Sequence, residues 1–309
     1  MGNINKVLFI GSKKLGLNCL KAIRTVSENT ISGVLTIDDS MDPRSVLQEY
    51  ITYCKENNIK LSIAKNRKDS EQIIVYENPE LCLVICWYWL FTKTILETVP
   101  FGFIGLHNSL LPKYRGGSPL VWNIINGEET VGFSLFSFTE RMDDGVIWHQ
   151  YKYNPDPNSN ISTILDHLEE AAAEVLKSNY VALLNRGIVP YEQNHELASY
   201  CAQRIPEDGL INWNNSALAI FNFIRAQASP YPGAYTFYKR EKLIIWETRI
   251  DERQFYGTPG QVAEINNEGV FVVCGDSKCL LLMDIELGSR KGKSHEIIKS
   301  IHARFNSDT

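Results

Sequence analysis

The chain has 309 residues, 44% hydrophobic and 22% charged, with a net charge of −5 and a pI near 5.8. That length sets two domains as the default and supports a sizeable core without metal or disulfide staples. The acidic balance argues against an extended nucleic-acid footprint, which carries a basic excess. No secretory signal and no bilayer-length apolar run is visible.

Residues 7–11, VLFIG, read as a buried parallel strand. Gly11 and Gly16 bracket a turn into a helix with Leu15, Cys19, Ala22, Ile23 and Val26 on one face. The turn has neither G-x-G-x-x-G nor the Lys-Ser/Thr of a P-loop, so it reads as a plain βα connection. Residues 33–37 form a second strand. Asp42 and Pro43 predict the cap and first residue of a helix, with Val46, Leu47, Tyr50, Ile51 and Cys54 at helical spacing. A short strand at 61–63 and a helix over 70–76 follow. Residues 81–86, LCLVIC, have the unbroken apolarity of a central parallel strand. Trp87, Tyr88, Trp89 and Leu90 sit at its carboxyl end, before a short helix over 92–99.

Residues 103–148 read FIGLHNSLLPKYRGGSPLVWNIINGEETVGFSLFSFTERMDDGVIW. A strand breaks at His107, turns through Gly117 and continues through a helix and a second strand to Asp143-Asp144-Gly145. A His leaving one strand end and an Asp leaving another suit a site at the carboxyl edge of an open α/β sheet. A long helix is predicted over 160–187, capped by Asn160 and stopped by Arg186-Gly187. Residues 1–190 thus read as a doubly wound, Rossmann-like parallel sheet. Periodicity fades over 189–204, which reads as a linker. In residues 205–309, a helix near 217–225 precedes evenly spaced short strands, the pattern of a small antiparallel β-barrel-like domain.

The seven cysteines are odd in number and scattered, as expected of reduced thiols in a cytoplasmic protein. Cys82 and Cys86 have no second pair or His cluster beside them, so no metal is expected.

The central stretch resembles the folate-dependent formyltransferases, which move a formyl group from N10-formyltetrahydrofolate to an amine. That family pairs Asn-x-His, Ser-Leu-Leu-Pro and Arg-Gly with a later Asp-x-Gly. Leu106-His107, Ser109-Leu110-Leu111-Pro112, Arg115-Gly116 and Asp143-Asp144-Gly145 match. The family's Asn position is Gly105 here, and an Asn stands instead at 108. Pro230-Tyr231-Pro232-Gly233-Ala234 and Pro259-Gly260-Gln261-Val262 match segments of the family's second domain, so the resemblance spans nearly the whole chain. It implies that Cys86, Trp87, Tyr88, Trp89 and Leu90 line a pterin pocket whose backbone groups hold the ring. The alternative is that these aromatics are core.

Attack of an amine on a formyl carbon passes through a tetrahedral oxyanion and needs a donor there and a route for the amine proton. The resemblance gives His107 the N–H and Asp143 the orienting or proton-relaying carboxylate, with Asp144 a turn residue. Asn108 is the candidate replacement for the missing Asn. Arg115 either clamps an anionic substrate or holds its loop. Ser109 in the same loop is a substrate contact or a piece of loop geometry. Among the family's acceptors, the acidic balance and two-domain plan favour a nucleotide-linked amino sugar, such as a 4-amino-4,6-dideoxyhexose for surface glycans. Methionyl-tRNA is the alternative acceptor. A folate- or nucleotide-sugar-binding protein without catalysis is the reading that Gly105 keeps open. No nucleic-acid or membrane partner is expected, and a homodimer is left open.

Overall fold

The computed structural model describes residues 3–305. In chain order the first elements are β1 (Val7–Gly11), α1 (Lys13–Arg24), β2 (Ile31–Ile37), α2 (Leu47–Glu56), β3 (Leu61–Ala64), α3 (Arg67–Glu77), β4 (Leu81–Ile85) and α4 (Lys93–Thr98). Then come β5 (Phe103–His107), β6 (Arg115–Gly116), α5 (Pro119–Ile125), β7 (Val131–Ser137), β8 (Ile147–Tyr153), α6 (Ile161–Leu184) and β9 (Tyr200–Cys201). The last are α7 (Ala217–Arg225), β10 (Ala234–Tyr238), β11 (Glu241–Asp251), β12 (Val262–Ile265), β13 (Val270–Val273), β14 (Cys279–Leu287), β15 (Arg290–Lys293) and α8 (Ser294–Ile297).

The chain divides into two compact units. The first comprises residues 1–119, 131–153 and 166–201; the second comprises 120–130, 154–165 and 202–309. In the first, seven strands run in the order β3-β2-β1-β4-β5-β7-β8. The strands from β3 to β5 are parallel, as the alternation of strands and helices predicts. β1 and β4 are buried at every position, because a central parallel strand is covered on both faces. β7 and β8 add an antiparallel edge, so the sheet is mixed. The second unit holds an antiparallel sheet in the order β10-β11-β14-β13-β12, with β15 beside β14. Among the described residues, no helix is long and apolar enough to cross a membrane.

Two expectations need correction. The helix predicted from Asp42 and Pro43 begins at Leu47. Asp42 is drawn off by Arg44 at 3.0 Å and Lys13 at 2.8 Å, and those pairs, Arg44 foremost, hold its carboxyl well below the usual range. Residues 189–204 are more than a linker: β9 pairs in parallel with β6, joining Tyr200 and Cys201 to the Arg115-Gly116 turn.

One buried hydroxyl shapes the loop after β5. Ser134, in β7, is opposite His107 in the ladder. Its Oγ donates to the Ser109 carbonyl at 2.7 Å and accepts from the Leu111 N–H at 3.0 Å and Gln150 Nε2 at 2.9 Å. Ser134→Ala leaves the buried Leu111 N–H without this acceptor. It should lower the free energy of unfolding by about 1–3 kcal/mol, read from urea titrations beside the parent.

Candidate active site

His107 is the last residue of β5, and its ring is 8% exposed. Nε2 lies 2.8 Å from the Tyr114 carbonyl. A carbonyl only accepts, so Nε2 carries a proton and donates it. That fixes the ring and leaves Nδ1 as its other polar corner, 3.6 Å from Asp143 Oδ2. The gap exceeds a direct hydrogen bond and lies within reach of a bridging N–H or water. The same Oδ2 accepts from the Gly116 N–H at 2.7 Å.

The strands alone do not bring these two residues together. β7 runs antiparallel to β5, so its carboxyl end, Ser137, lies beside Ile104 rather than beside His107. The connection of residues 138–146 returns to bring Asp143 there. Two backbone features shape that return. Asp143 takes φ +48°, a left-handed conformation that Asp tolerates better than most residues. A Cβ at Gly145 would collide with the Ser137 carbonyl. Asp144 is buried and bonded to Thr139 and Arg141, as a turn residue.

Gln193, in the segment read as a linker, ties the two loops together. Its Nε2 donates to the carbonyls of Asp143 at 2.9 Å and Gly145 at 2.7 Å. Its Oε1 accepts from Arg115 Nη2 at 2.6 Å and Nε at 3.2 Å. Arg115 also donates to His195 Nδ1 at 2.9 Å and the Tyr200 hydroxyl at 3.3 Å. Ser199 accepts from the Tyr114 N–H through its hydroxyl at 2.9 Å. None of Gln193, His195, Ser199 or Tyr200 carries a sequence signal, since each acts singly in an aperiodic stretch.

These contacts bear on two open readings. Arg115 is 2% exposed and its guanidinium is engaged by neighbours, which favours holding the loop over an open clamp on a substrate anion. Ser109 is fully buried and donates to the Lys113 carbonyl at 2.7 Å, which is loop geometry. Asn108 is half-buried, and its side chain has no hydrogen-bond partner among the described residues.

Gly105 is filled from elsewhere. It lies two residues before His107, so both face the same side of β5. A Cβ built there would be 2.6 Å from Phe138 Cζ, and nearer still to Cε1. The Phe138 ring takes the room a side chain would need.

Cys86 follows β4 in a left-handed conformation, φ +55°, and its carbonyl accepts from Ser12 Oγ at 2.5 Å. Burial, with Glu169 adding, pushes its thiol up to about 12, which leaves it protonated and unreactive. The expectation of core is met in part. Trp87 and Trp89 pack edge to face at 5.3 Å, Trp87 stacks on Phe91 at 6.2 Å and both indoles pack on one buried cluster, whereas Tyr88 and Leu90 face solvent. Among the described residues, the backbone N–H groups of Trp87, Tyr88, Trp89 and Leu90 have no hydrogen-bond partner. The indole N–H of Trp87 is buried and likewise unpartnered. Unpaired donors beside aromatic walls are what a flat heteroaromatic ring requires. Among the described residues, no group of three or more His, Cys, Asp and Glu is placed to hold a metal ion.

The pattern for formyl transferase matches residues 5–179, and that for its C-terminal domain matches 204–301. The methionyl-tRNA formyltransferase of Clostridioides difficile is 32% identical over 293 residues, 93% of each chain. The bifunctional polymyxin resistance protein ArnA of Wigglesworthia glossinidia brevipalpis is 30% identical over 84% of this chain, which spans 40% of that longer protein. The fold superposes on WlaRD, a sugar 3N-formyl transferase solved in the presence of dTDP and 5-N-formyl-THF, with a TM-score of 0.69. That match covers 94% of this chain and all of the other at 18% identity. The chain belongs to the formyl transferase family, and it is a formyltransferase.

Removing the amide clamp tests the geometry directly. Gln193→Ala frees the Asp143 loop from Arg115. It should lower kcat at least about tenfold with a smaller change in KM, the pattern expected when alignment rather than uniform binding is lost.

Proposed function

We propose that this enzyme transfers the formyl group of N10-formyltetrahydrofolate to the amine of a nucleotide-linked amino sugar, with a 4-amino-4,6-dideoxyhexose as the preferred acceptor. Folate supplies the activated formyl group. Every other function follows from the chain's own residues. The unpaired backbone donors at Trp87, Tyr88, Trp89 and Leu90 hold the pterin edge, with the Trp87 and Trp89 rings as walls. His107 stands beside the formyl carbon with its Nε2–H spent on the Tyr114 carbonyl, so Nδ1 faces the reaction as an acceptor and the N–H expected of His107 at the oxyanion must come from another group. Asp143 Oδ2 receives the attacking amine's proton, directly or through water, as the new C–N bond forms. That proton passes to N10 as the bond from the formyl carbon to N10 breaks and tetrahydrofolate leaves. The Gly116 N–H holds the carboxylate. Asn108 donates to the developing oxyanion.

The choice of acceptor rests on charge. Residues 202–309 carry 13 Lys and Arg against 13 Asp and Glu. A surface gripping a tRNA backbone shows a basic excess, because phosphate contacts dominate that affinity. The sugar 3N-formyl transferase fold match supports the same choice. Methionyl-tRNA remains the second reading, favoured by the 32% identity to an enzyme named for that acceptor. Surface glycan synthesis and a cytoplasmic location follow from the sugar reading.

Three measurements decide between these assignments. A panel of nucleotide-linked amino sugars and charged initiator tRNA, incubated with the folate donor, should gain the mass of a formyl group on a sugar. Efficient formylation of the tRNA and of no sugar would overturn the acceptor.

His107→Ala and Asp143→Asn should each lower kcat by at least about a hundredfold while folate binding is largely kept. Near-normal turnover in either variant removes that residue from the chemistry.

Asn108→Ala should cost about 2–4 kcal/mol in kcat/KM, the range for one oxyanion donor. Gly105→Asn cannot replace it alone, because Phe138 occupies the space. Only Gly105→Asn with Phe138→Ala should recover part of the loss. Parent-like turnover of Asn108→Ala would leave Asn108 a turn residue.

A further inference from the structure

The second unit contains a groove of about 920 Å³ that no step of formyl transfer uses. Its apolar surface comes from Phe221, Ile224, Trp246 and Met283. Arg225, at the end of α7, forms part of the wall, half-buried. Its guanidinium donates to the Asn222 amide oxygen at 2.9 Å and the Ser159 carbonyl at 2.9 Å, both neutral acceptors. Five N–H groups are available on a guanidinium, so donors are left over. Among the described residues, no carboxylate lies within ion-pair distance of Arg225, and burial depresses its pKa. An uncompensated, partly desolvated cation is costly, and an anion beside it removes that cost.

Further donors line the same groove. Lys291 is exposed, has no carboxylate within ion-pair distance among the described residues, and rests over the Trp246 ring at 4.7 Å. Ser162 and Asn160 lie at the start of α6, where Asn160 Oδ1 caps the Thr163 N–H at 3.1 Å. The cap leaves the N–H groups of Ile161 and Ser162 outside the intrahelical ladder. The acidic side of the groove offsets these cations only in part. Asp284 is paired with Lys293 at 3.0 Å and its carboxyl is also held down by Lys291, while Glu247, hydrogen-bonded to Asp284, is pushed above the ordinary carboxyl range. Arg249 is matched by Glu268 at 2.5 Å.

We infer that this groove is a second ligand site, binding a small organic phosphate with a flat or apolar body, of the size of a nucleoside diphosphate. Arg225, Lys291 and Ser162 take the phosphate, and Trp246 with Met283 takes the body. A phosphate fits better than a lone carboxylate because guanidinium, ammonium and hydroxyl donors line the one groove. The volume is in the range of small-molecule sites. The inference does not depend on which amine the enzyme formylates.

The test uses the full chain with adenosine diphosphate and, separately, inorganic phosphate, by calorimetry at low salt. Adenosine diphosphate should bind at least tenfold more tightly than inorganic phosphate. Lys291→Glu, on an exposed side chain, should weaken that binding at least tenfold without shifting Tm or formyl transfer. Ser162→Asp should weaken it similarly. Trp246→Phe should abolish the change in tryptophan emission on binding. Absence of binding overturns the proposal, as does binding unaffected by both charge variants, which places the nucleotide elsewhere. Equal affinity for inorganic phosphate overturns the apolar half of the site. Loss of formyl transfer in the His107 and Asp143 variants, with adenosine diphosphate still bound, keeps the two sites distinguishable.

Discussion

The primary amide of Gln193 is the joint on which the candidate site depends. Its two N–H bonds reach the carbonyls of Asp143 and Gly145, and its oxygen receives Arg115. Neither loop is placed by the sheet alone. The antiparallel β7 delivers its end beside Ile104, away from His107. Asp143 therefore reaches the imidazole because Gln193 holds its carbonyl and the Gly116 N–H holds its carboxylate. Each such bond contributes only about 0.5–1.5 kcal/mol to stability. Their value lies in alignment, since a misplacement of about 1 Å can cost about a hundredfold in rate.

Arg115 explains why that joint is stiff. The Arg115 guanidinium is 2% exposed and has Gln193, His195 and Tyr200 as its side-chain acceptors. The charge polarises the Gln193 amide, which strengthens the bonds its N–H groups donate to the Asp143 loop. Lysine would bring three donors on a point charge and lose the planar fork that meets Gln193 through both Nε and Nη2. The residue acts through Gln193 on the geometry beside His107.

The strands of the first unit were legible because burial on both faces demands unbroken apolar runs, as in VLFI and LCLVI. His107 and Asp143 stood out through their motifs. Arg115 was visible, but its role was not, because its acceptors lie near 193–200, in an aperiodic stretch where each residue makes its own contact. Ser109 looked like a hydroxyl in a site loop, and only the fold reveals the Lys113 carbonyl it serves. Asp42 and Pro43 give a sound local helix-start signal. The ion pairs of Asp42 with Lys13 and Arg44 override it, as tertiary contacts often override propensity.

Gly105 is where sequence and structure are most informative together. Alone, a glycine in place of a family amide suggests a lost function. In the fold it is one half of a packing exchange whose other half is Phe138. That ring belongs to an aromatic series running from Trp87 to Phe91 at 6.2 Å, to Phe138 at 6.2 Å, to Phe136 at 5.1 Å and to His107 at 6.1 Å. The series links the loop after β4 to the imidazole and gives one flank of His107 an aromatic neighbour, Phe136. An apolar flank lowers the dielectric beside the ring, so charge there is felt more strongly than it would be in water.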